Sequence, residues 1–271
     1  LKLITKILAN RLQKVILNIV HKNQYGFLKG RSIHDCLAWA FEYIHQCQAS
    51  KREIVLLKLD FAKAFDTVEH SAMLLILKNM GFPPKWLAWM ESIFSSGKSS
   101  VLLNGVPGKQ FICKKGVRQG DPLSPLIFVI TADLLQSMMN EAMQQSLVAS
   151  PLIHTSCAGY PSIQYADDTI LVANAHAGQL YHIKNLLLHY ADYTRLKVNY
   201  AKSILIPINT ATSKVNQLAT LLGCQIGTLP QKYLGLPLSL SKPRIEDYFP
   251  LLKRIENRLL CCSTLLSTGD K

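Results

Sequence analysis

Apolar positions along the chain alternate between a helical spacing and short, uniformly apolar runs. From Leu3 to Val20 the apolar side chains fall at positions 4, 8, 12, 15, 16 and 19, which predicts one helix with a buried face. Residues 53–59 are apolar at nearly every position, which predicts a central strand covered on both faces. The chain therefore mixes helices with short buried strands.

Local signals at the ends of the remaining segments predict their elements. Ser32 can cap a helix over 33–48, and Ser124, with Pro125 behind it, can cap a long helix over 126–146. Asn104-Gly105 predicts a hairpin turn, made basic by nearby lysines, and residues 149–161 look irregular. Further helices are predicted over 67–80, 84–94, 177–195, 210–222 and 244–266, with a strand over 204–208.

Carboxylates stand at the ends of two of these apolar runs. Asp167 and Asp168 are adjacent at a predicted turn, where the usual interpretation is a solvated turn. Asp60 directly follows the buried strand, whereas Asp66 is explained as a cap of the next helix. If the strand and the turn are neighbours in one antiparallel sheet, three carboxylates meet and can form a two-metal site for phosphoryl transfer.

Composition favours a polyanionic partner. The 271 residues carry 30 Lys and Arg against 17 Asp and Glu, a formal charge of +13, which suits nucleic acid or an anionic membrane. No apolar run approaches the roughly 20 residues that span a bilayer. The odd number of cysteines and the absence of C-x-x-C argue against a disulfide framework and a zinc site, and favour a reducing compartment. The seven cysteines are at positions 36, 47, 113, 157, 224, 261 and 262.

Two Gly-containing loops precede helices, and each has two interpretations. The loop before Ser32 can simply lead into its helix, or its backbone can approach a phosphate with Lys29 and Arg31 alongside. The loop over 116–125 can bind phosphate or lie under a flat base. It does not match the P-loop pattern, so that class of nucleotide site is excluded.

Six motifs, read in order, resemble the reverse transcriptase domain of non-LTR (LINE-type) retrotransposons, especially the plant lineage. They are Gln24–Ser32, Leu59–Asp66, Gly116–Pro125, Tyr165–Asp168, Leu196–Asn199 with Lys202-Ser203, and Tyr233–Leu238. The resemblance implies an α+β fold, a right-hand polymerase palm with an antiparallel sheet backed by helices. It further implies partial fingers at 1–52, a palm at 53–240 with a fingers-like helical insertion around 67–97, and the start of a truncated thumb at 241–271.

The same resemblance implies RNA-directed DNA polymerase activity on an RNA template, a DNA primer and a dNTP. Asp60, Asp167 and Asp168 would hold two Mg²⁺ or Mn²⁺ ions, helped by the carbonyl of Phe61. Phe65 would exclude a ribose 2′-OH, although core packing explains it equally. No membrane or disulfide partner is expected, and the oligomeric state is left open.

Further substrate contacts follow from the resemblance. Gln119 and Gly120 would lie against the templating base pair and the incoming nucleotide, and the stretch from Tyr233 through Gly235 to Leu238 would form a primer grip. Lys202 would donate a proton to pyrophosphate, or is simply a solvated lysine. Lys29 and Arg31 would contact phosphates.

The ends of the chain depart from the family pattern. Leu1 already lies in a predicted helix without an initiator methionine, and the triphosphate-binding segment, full thumb, endonuclease and ribonuclease H regions are not present. These features predict a truncated copy that polymerises poorly alone. The alternatives are an inactive remnant acting at most as a basic nucleic-acid-binding module, and a two-metal nuclease. By analogy with the family, the location is intracellular and nuclear.

Overall fold

A five-stranded sheet organises the chain, with strand order β6-β7-β1-β8-β9. The computed structural model describes residues 1–152, 159–240 and 244–267, and side chains only as far as residue 260. All strand pairs of the sheet are antiparallel except β8 with β9. The strands are β1 (Ile54–Leu59), β2 (Lys98–Ser99), β3 (Leu102–Leu103), β4 (Val106–Pro107), β5 (Phe111–Ile112), β6 (Ser162–Tyr165), β7 (Asp168–Asn174), β8 (Ile204–Ile208), β9 (Gln225–Ile226), β10 (Gln231–Tyr233) and β11 (Leu236–Leu238).

Helices make up most of the remaining described chain. They are α1 (Lys2–Leu12), α2 (Ile16–Ile19), α3 (Ile33–Ala49), α4 (Ala64–Thr67), α5 (His70–Asn79), α6 (Pro84–Ser95), α7 (Ser124–Ala132), α8 (Leu134–Gln144), α9 (Ala177–Thr194), α10 (Thr212–Leu222) and α11 (Phe249–Ser267), with a 3₁₀ turn at Ile245–Tyr248. In the part of the chain that the structure describes, no helix is long and apolar enough to cross a bilayer.

Both faces of the central strand β1 are buried, as its uniform apolar run predicts. Val55, Leu57 and Leu59 belong to a large core cluster shared with helices such as α7 and α9. Ile54 and Leu56 belong to a second cluster, closed by α3 and by the β10–β11 hairpin. Because successive side chains of a strand point to opposite faces, a strand between two cores is apolar on both, and Lys58, near the end of β1, is its one polar and only partly buried side chain. The first polar position after β1 is Asp60.

The predicted cap of α3 is confirmed, while that of α7 is wrong. Ser32 and Asp35 form a reciprocal capping box at the start of α3. Ser124 makes no capping bond, and Asp121 accepts the backbone N–H groups of Leu123 (2.9 Å) and Ser124 (3.2 Å) instead. The carboxylate three residues upstream therefore takes the role expected of the hydroxyl.

Two predicted long helices are each divided in the structure. The helix expected over Leu3–Val20 breaks between α1 and α2, where Gln13 turns to the loop ahead of α3. The helix expected over 126–146 breaks at Asp133, whose buried carboxylate accepts the N–H of His21. Both interruptions are local: Gln13 and Asp133 keep right-handed helical backbone angles, while their side chains bond segments distant in the sequence.

The remaining differences are small. The helix predicted over 67–80 begins at His70, after the short α4, and ends ahead of Gly81 at φ +81°. The basic hairpin, residues 98–115, has only two-residue strands around its Asn104-Gly105 turn. Part of the irregular segment, 153–158, lies outside the described residues, as do 241–243 and 268–271. Four cysteines with described side chains are free thiols: Cys36, Cys47, Cys113 and Cys224.

Candidate active site

The strand register brings the three predicted carboxylates to one edge of the sheet. Strand β1 pairs with β7 so that Leu59 stands opposite Thr169. Continuing this antiparallel register by one residue sets Asp60 beside Asp168 on the same face of the sheet. Asp167 is adjacent, in the tight β6–β7 turn that follows Tyr165. The strand pairing that the sequence prediction assumes is therefore present, and it places the three residues at one edge of the sheet.

Electrostatic coupling among the three carboxylates is visible in their pKa values. Partial burial raises the pKa of Asp167, and the nearby charges of Asp168 and Asp60 raise it further. Partial burial likewise raises the pKa of Asp168, opposed by Lys58 and reinforced by Asp60. Groups that repel one another at short range gain most from a shared cation.

The donor set fits a hard divalent cation. All three groups offer carboxylate oxygens, the ligands that Mg²⁺ prefers, and none offers sulfur or imidazole. In the described residues no three His, Cys, Asp or Glu side chains form a group that could hold an ion. The three aspartates share one edge of the sheet and interact through their charges.

The backbone of Asp60 is fixed by the loop ahead of β8. Its N–H donates to Ser203 Oγ at 3.0 Å, and its carbonyl accepts the N–H of Asn199 at 2.7 Å. Lys202 lies in this same loop with an exposed side chain. The family resemblance points to Lys202, whereas the anchoring roles of Asn199 and Ser203, which lie in the same motif, are apparent only in the structure.

The loop over 116–125 is tied directly to the segment after β1. Val117 N–H donates to the Phe65 carbonyl at 2.7 Å, and Gly116 N–H donates to the Val68 carbonyl at the same distance. A Cβ on Gly116 would lie 2.7 Å from the Asp66 carbonyl oxygen, so only glycine fits this approach. Gln119 and Gly120 follow, both exposed.

Aromatic contacts place Phe65 between the site and the core. Its ring stacks on Phe128 at a centroid distance of 4.1 Å and meets Phe27 edge-on at 6.2 Å. The ring is only partly buried, so both predicted roles, core packing and contact with a sugar, remain compatible with its position. Phe61 packs against Tyr190, with ring centroids 6.1 Å apart.

Tyr233 and Gly235 belong to the β10–β11 hairpin beneath the site. The Tyr233 ring is buried, and its hydroxyl donates to the Asp168 carbonyl at 3.4 Å. Gly235, at φ +93°, forms the turn. Lys58 ties the same hairpin to β1 through the Lys232 carbonyl at 2.8 Å. Through its hydroxyl, Tyr233 supports β7, the strand that begins at Asp168.

Lys29 and Arg31 occupy different environments in the loop ahead of α3. The side chain of Lys29 is exposed. Arg31 turns inward and donates to the carbonyls of Val20, His21 and Gln24 at 2.6–3.2 Å. These bonds favour the interpretation of this segment as a structured loop, and a phosphate contact by Arg31 stays a prediction.

Two grooves lie along the segment that follows β1. One, of about 450 Å³, begins at Ala62 and is lined by Glu69, paired with Arg195 at 3.0 Å, and by four basic side chains: Lys114, Lys115, Arg195 and Lys197. The other, of about 320 Å³, is lined by Gln119 and Arg118 together with the stacked pair His70 and Phe94. Lys115 borders both, so positive charge and a flat stacked pair lie next to the segment that follows Asp60 in the chain.

Comparison with known proteins settles the family. Residues 1–238 match the family described as reverse transcriptase (RNA-dependent DNA polymerase). The chain belongs to this family. The match includes every predicted site residue, from Lys29 to Gly235.

Retrotransposon proteins are among the similar sequences. The Transposon TX1 uncharacterized 149 kDa protein of Xenopus laevis is 25% identical over 74% of the chain, which spans 15% of that protein. A Pol polyprotein from the type-2 element R2DM of Drosophila melanogaster is 26% identical over 79% of the chain, which spans 21% of it. Such relatives confirm the non-LTR type of reverse transcriptase domain. They are mostly animal proteins and do not support the expected plant lineage.

Solved structures share the fold at low sequence identity. The telomerase of Candida tropicalis, solved in a complex with a telomeric RNA fragment, aligns with a TM-score of 0.58 at 13% identity, covering 91% of this chain and 37% of that one. The apo form, truncated from its C-terminal domain, gives 0.54 at 15% identity over 77% of this chain and 40% of that one. These likenesses confirm the predicted α+β polymerase palm.

Proposed function

We propose that this reverse transcriptase family member carries out RNA-directed DNA synthesis, joining a dNTP to a primer 3′-OH opposite an RNA template. The observation that carries the proposal is the β1–β7 register, which sets Asp60 beside Asp168 and next to Asp167. Membership of the family over residues 1–238 supports it. Because the chain spans only a fraction of the relatives' length, the activity is a proposal for this chain itself.

Asp60, Asp167 and Asp168 would hold the divalent cations, Mg²⁺ or Mn²⁺, with the Phe61 carbonyl beside them. Two such cations, when bound, favour ionisation of the primer hydroxyl and stabilise charge on the transferring phosphorus. The chain's own contribution is positioning. Ser203 and Asn199 hold the Asp60 backbone, and the buried sheet holds that of Asp168.

The remaining predicted contacts would come from the loops around the site and from the β10–β11 hairpin. Gln119 and Gly120 would lie under the nascent base pair, and Phe65 beside the sugar of the incoming dNTP. Lys202 would face the pyrophosphate, and the stretch from Tyr233 to Gly235 would steady the primer.

Lys29 would contact a phosphate, and Arg31 would act mainly through the loop it holds. The four basic side chains of the larger groove suit the nucleic acid backbone.

The limits of the subdomains, the type of element and the site of action in the cell are part of the same proposal. Fingers would comprise 1–52, the palm 53–240 with its helical insertion around 67–97, and the thumb would begin at 241. A plant-type element and a nuclear site of action are proposed on resemblance alone. The predicted poor activity of an isolated palm would appear as slow extension rather than as loss of nucleic acid binding.

Primer extension on an RNA template with dNTPs and Mg²⁺ tests the proposal. Wild-type chain should extend the primer, and Asp167→Asn should reduce the rate by roughly a thousandfold, since several kcal/mol of charge stabilisation depend on this carboxylate. Asp192→Asn, an exposed aspartate on α9, is the matched control and should extend normally.

Other outcomes would overturn the proposal in distinct ways. RNA binding that is salt-sensitive but indifferent to Mg²⁺ and to Asp60→Asn, with no extension at any enzyme concentration, would identify a binding module. Strand cleavage without dNTPs, lost in Asp167→Asn, would identify a nuclease.

A further inference from the structure

A single buried glutamine binds the turn that carries Asp167. Gln24 is fully buried, and its Oε1 accepts the N–H of Ala166 at 2.9 Å and that of Gly26 at 2.9 Å. Ala166 separates Tyr165 from Asp167 and has a φ of +57°, a conformation that non-glycine residues seldom adopt. One side-chain oxygen therefore satisfies the buried N–H of the most strained residue in the turn.

The segment around Gln24 pairs with β6 through a single parallel bridge between Gln24 and Gln164. Gln164 N–H donates to the Asn23 carbonyl at 3.0 Å, and Tyr25 N–H donates to the Gln164 carbonyl at 2.8 Å. Gly26 lies so close to the turn that a Cβ added there would be 2.4 Å from Ala166 N. The contact is thus backbone against backbone, with the glutamine amide filling the space between.

This segment is itself anchored away from the turn. Arg31 Nη1 donates to the Gln24 carbonyl at 2.6 Å and to the His21 carbonyl at 2.6 Å. The His21 N–H donates to Asp133 Oδ2 at 3.1 Å, at the break between α7 and α8. A continuous set of hydrogen bonds therefore links the helical core to the turn.

We propose that Gln24 is a positioning residue that fixes the Ala166 peptide, and through it the direction in which Asp167 presents its carboxylate. The metal-binding half of this inference rests on the proposed function, while the half concerning the turn does not. Removing the amide leaves a buried N–H without an acceptor at a strained residue, so the turn must move or open. Partners one step removed from metal ligands commonly change metal affinity by about 10–100-fold.

A matched control is available at the other end of β6. Gln136 is also fully buried, donates to the Tyr160 carbonyl at 2.9 Å and accepts from Ser162 Oγ. Methionine has nearly the length and volume of glutamine without its amide, so Gln24→Met and Gln136→Met each remove buried hydrogen bonds while preserving packing. Gln24→Met removes bonds at the end of β6 next to the turn, and Gln136→Met removes bonds at the opposite end of β6.

The experiment measures amide exchange at Ala166 in the metal-free protein and Mn²⁺ affinity by titration. We expect Gln24→Met to speed exchange at Ala166 at least tenfold and to weaken Mn²⁺ binding about tenfold or more. Gln136→Met should lower the unfolding midpoint comparably, yet leave both site readouts as in wild type. Unchanged Ala166 exchange in Gln24→Met, or an equal change in Gln136→Met, would overturn the inference.

Two further outcomes are separable. If wild-type chain binds no Mn²⁺, the proposed metal site fails, and the exchange data still decide whether Gln24 fixes the turn. If Gln24→Met does not fold, Gly26→Ala tests the same contact from the other side. It should speed Ala166 exchange and weaken Mn²⁺ binding in the same way, and normal values for both would contradict the inference.

Discussion

The edge of the sheet that carries the aspartates and the basic hairpin beside it are built in opposite ways. Around Asp60 and Asp168 the backbone is hydrogen-bonded on each side, and the strands behind it are buried on both faces. The hairpin has two-residue strands, and Leu103 near its tip is 74% exposed. The backbone that carries the aspartates is therefore fixed by the core, whereas the lysines of the hairpin lie on an exposed and weakly packed segment.

The largest contrast between the two regions should appear in stability. Leu57, 1% exposed in β1, should cost roughly 2–5 kcal/mol of unfolding free energy when changed to Ala, since the cavity is enclosed by helices. Leu103→Ala, the same change in the hairpin, should cost under about 0.5 kcal/mol. Urea unfolding of both variants measures this. Equal losses would show that the hairpin packs as the sheet does.

Asp133, buried where α7 meets α8, should make the stability of the protein depend on pH. Burial raises the pKa of Asp133 from its usual 3.8 to about 6, against the opposing effects of the His21 N–H and of Arg31. Because the folded state holds this proton more tightly than the unfolded chain, stability should fall as pH rises from about 4 to about 6 and level off above. A shift of about two units corresponds to roughly 3 kcal/mol.

Asp133→Asn should remove this contribution and flatten the stability profile relative to wild type. Urea midpoints at several pH values between 4 and 7 measure the difference between the two profiles. Parallel profiles for variant and wild type would mean that the carboxyl ionises as freely when folded as when unfolded.

The smallest expected effect lies on the surface. Lys114 and Lys115 line the larger groove, and changing both to Ala should weaken RNA binding several-fold and reduce its salt slope by about 2, one per lost phosphate contact. Folding stability should not change. Lys214→Ala, at the other end of β1 where Lys214 pairs with Glu53, is the control and should leave the slope unchanged. A slope reduced by about 1 in Lys214→Ala, half the change in the double variant, would argue that binding follows net charge alone.

Elements that depend on residues close together in the sequence could be predicted from it. The uniform apolar run of β1, the Ser32 cap and the glycine after α5 are each read within a few residues. The sequence predicts that the three aspartates meet only if two predicted strands pair, and the structure contains that pairing. Their roles came from the family resemblance and stay predictions.

Contacts between distant segments were not predictable in this way. Gln24 and Ala166 are 142 residues apart, and nothing in either neighbourhood indicates that they meet. At the two helix interruptions, the side chains of Gln13 and Asp133 likewise bond distant partners, Phe27 and His21. Apolar spacing continues across both breaks, so the periodicity predicted unbroken helices.

The central claim is that Asp60, Asp167 and Asp168 act as one cation site, and thermal unfolding with increasing Mg²⁺ tests it most directly. Wild-type chain should gain stability with cation concentration, about 2.7 kcal/mol at a hundred times the dissociation constant. Asp60→Asn should be no less stable without cation, because a repulsion is relieved, and should lose the gain. Asp192→Asn should respond as wild type does. No Mg²⁺ response in the wild-type chain, or the same response in Asp60→Asn, would contradict the account.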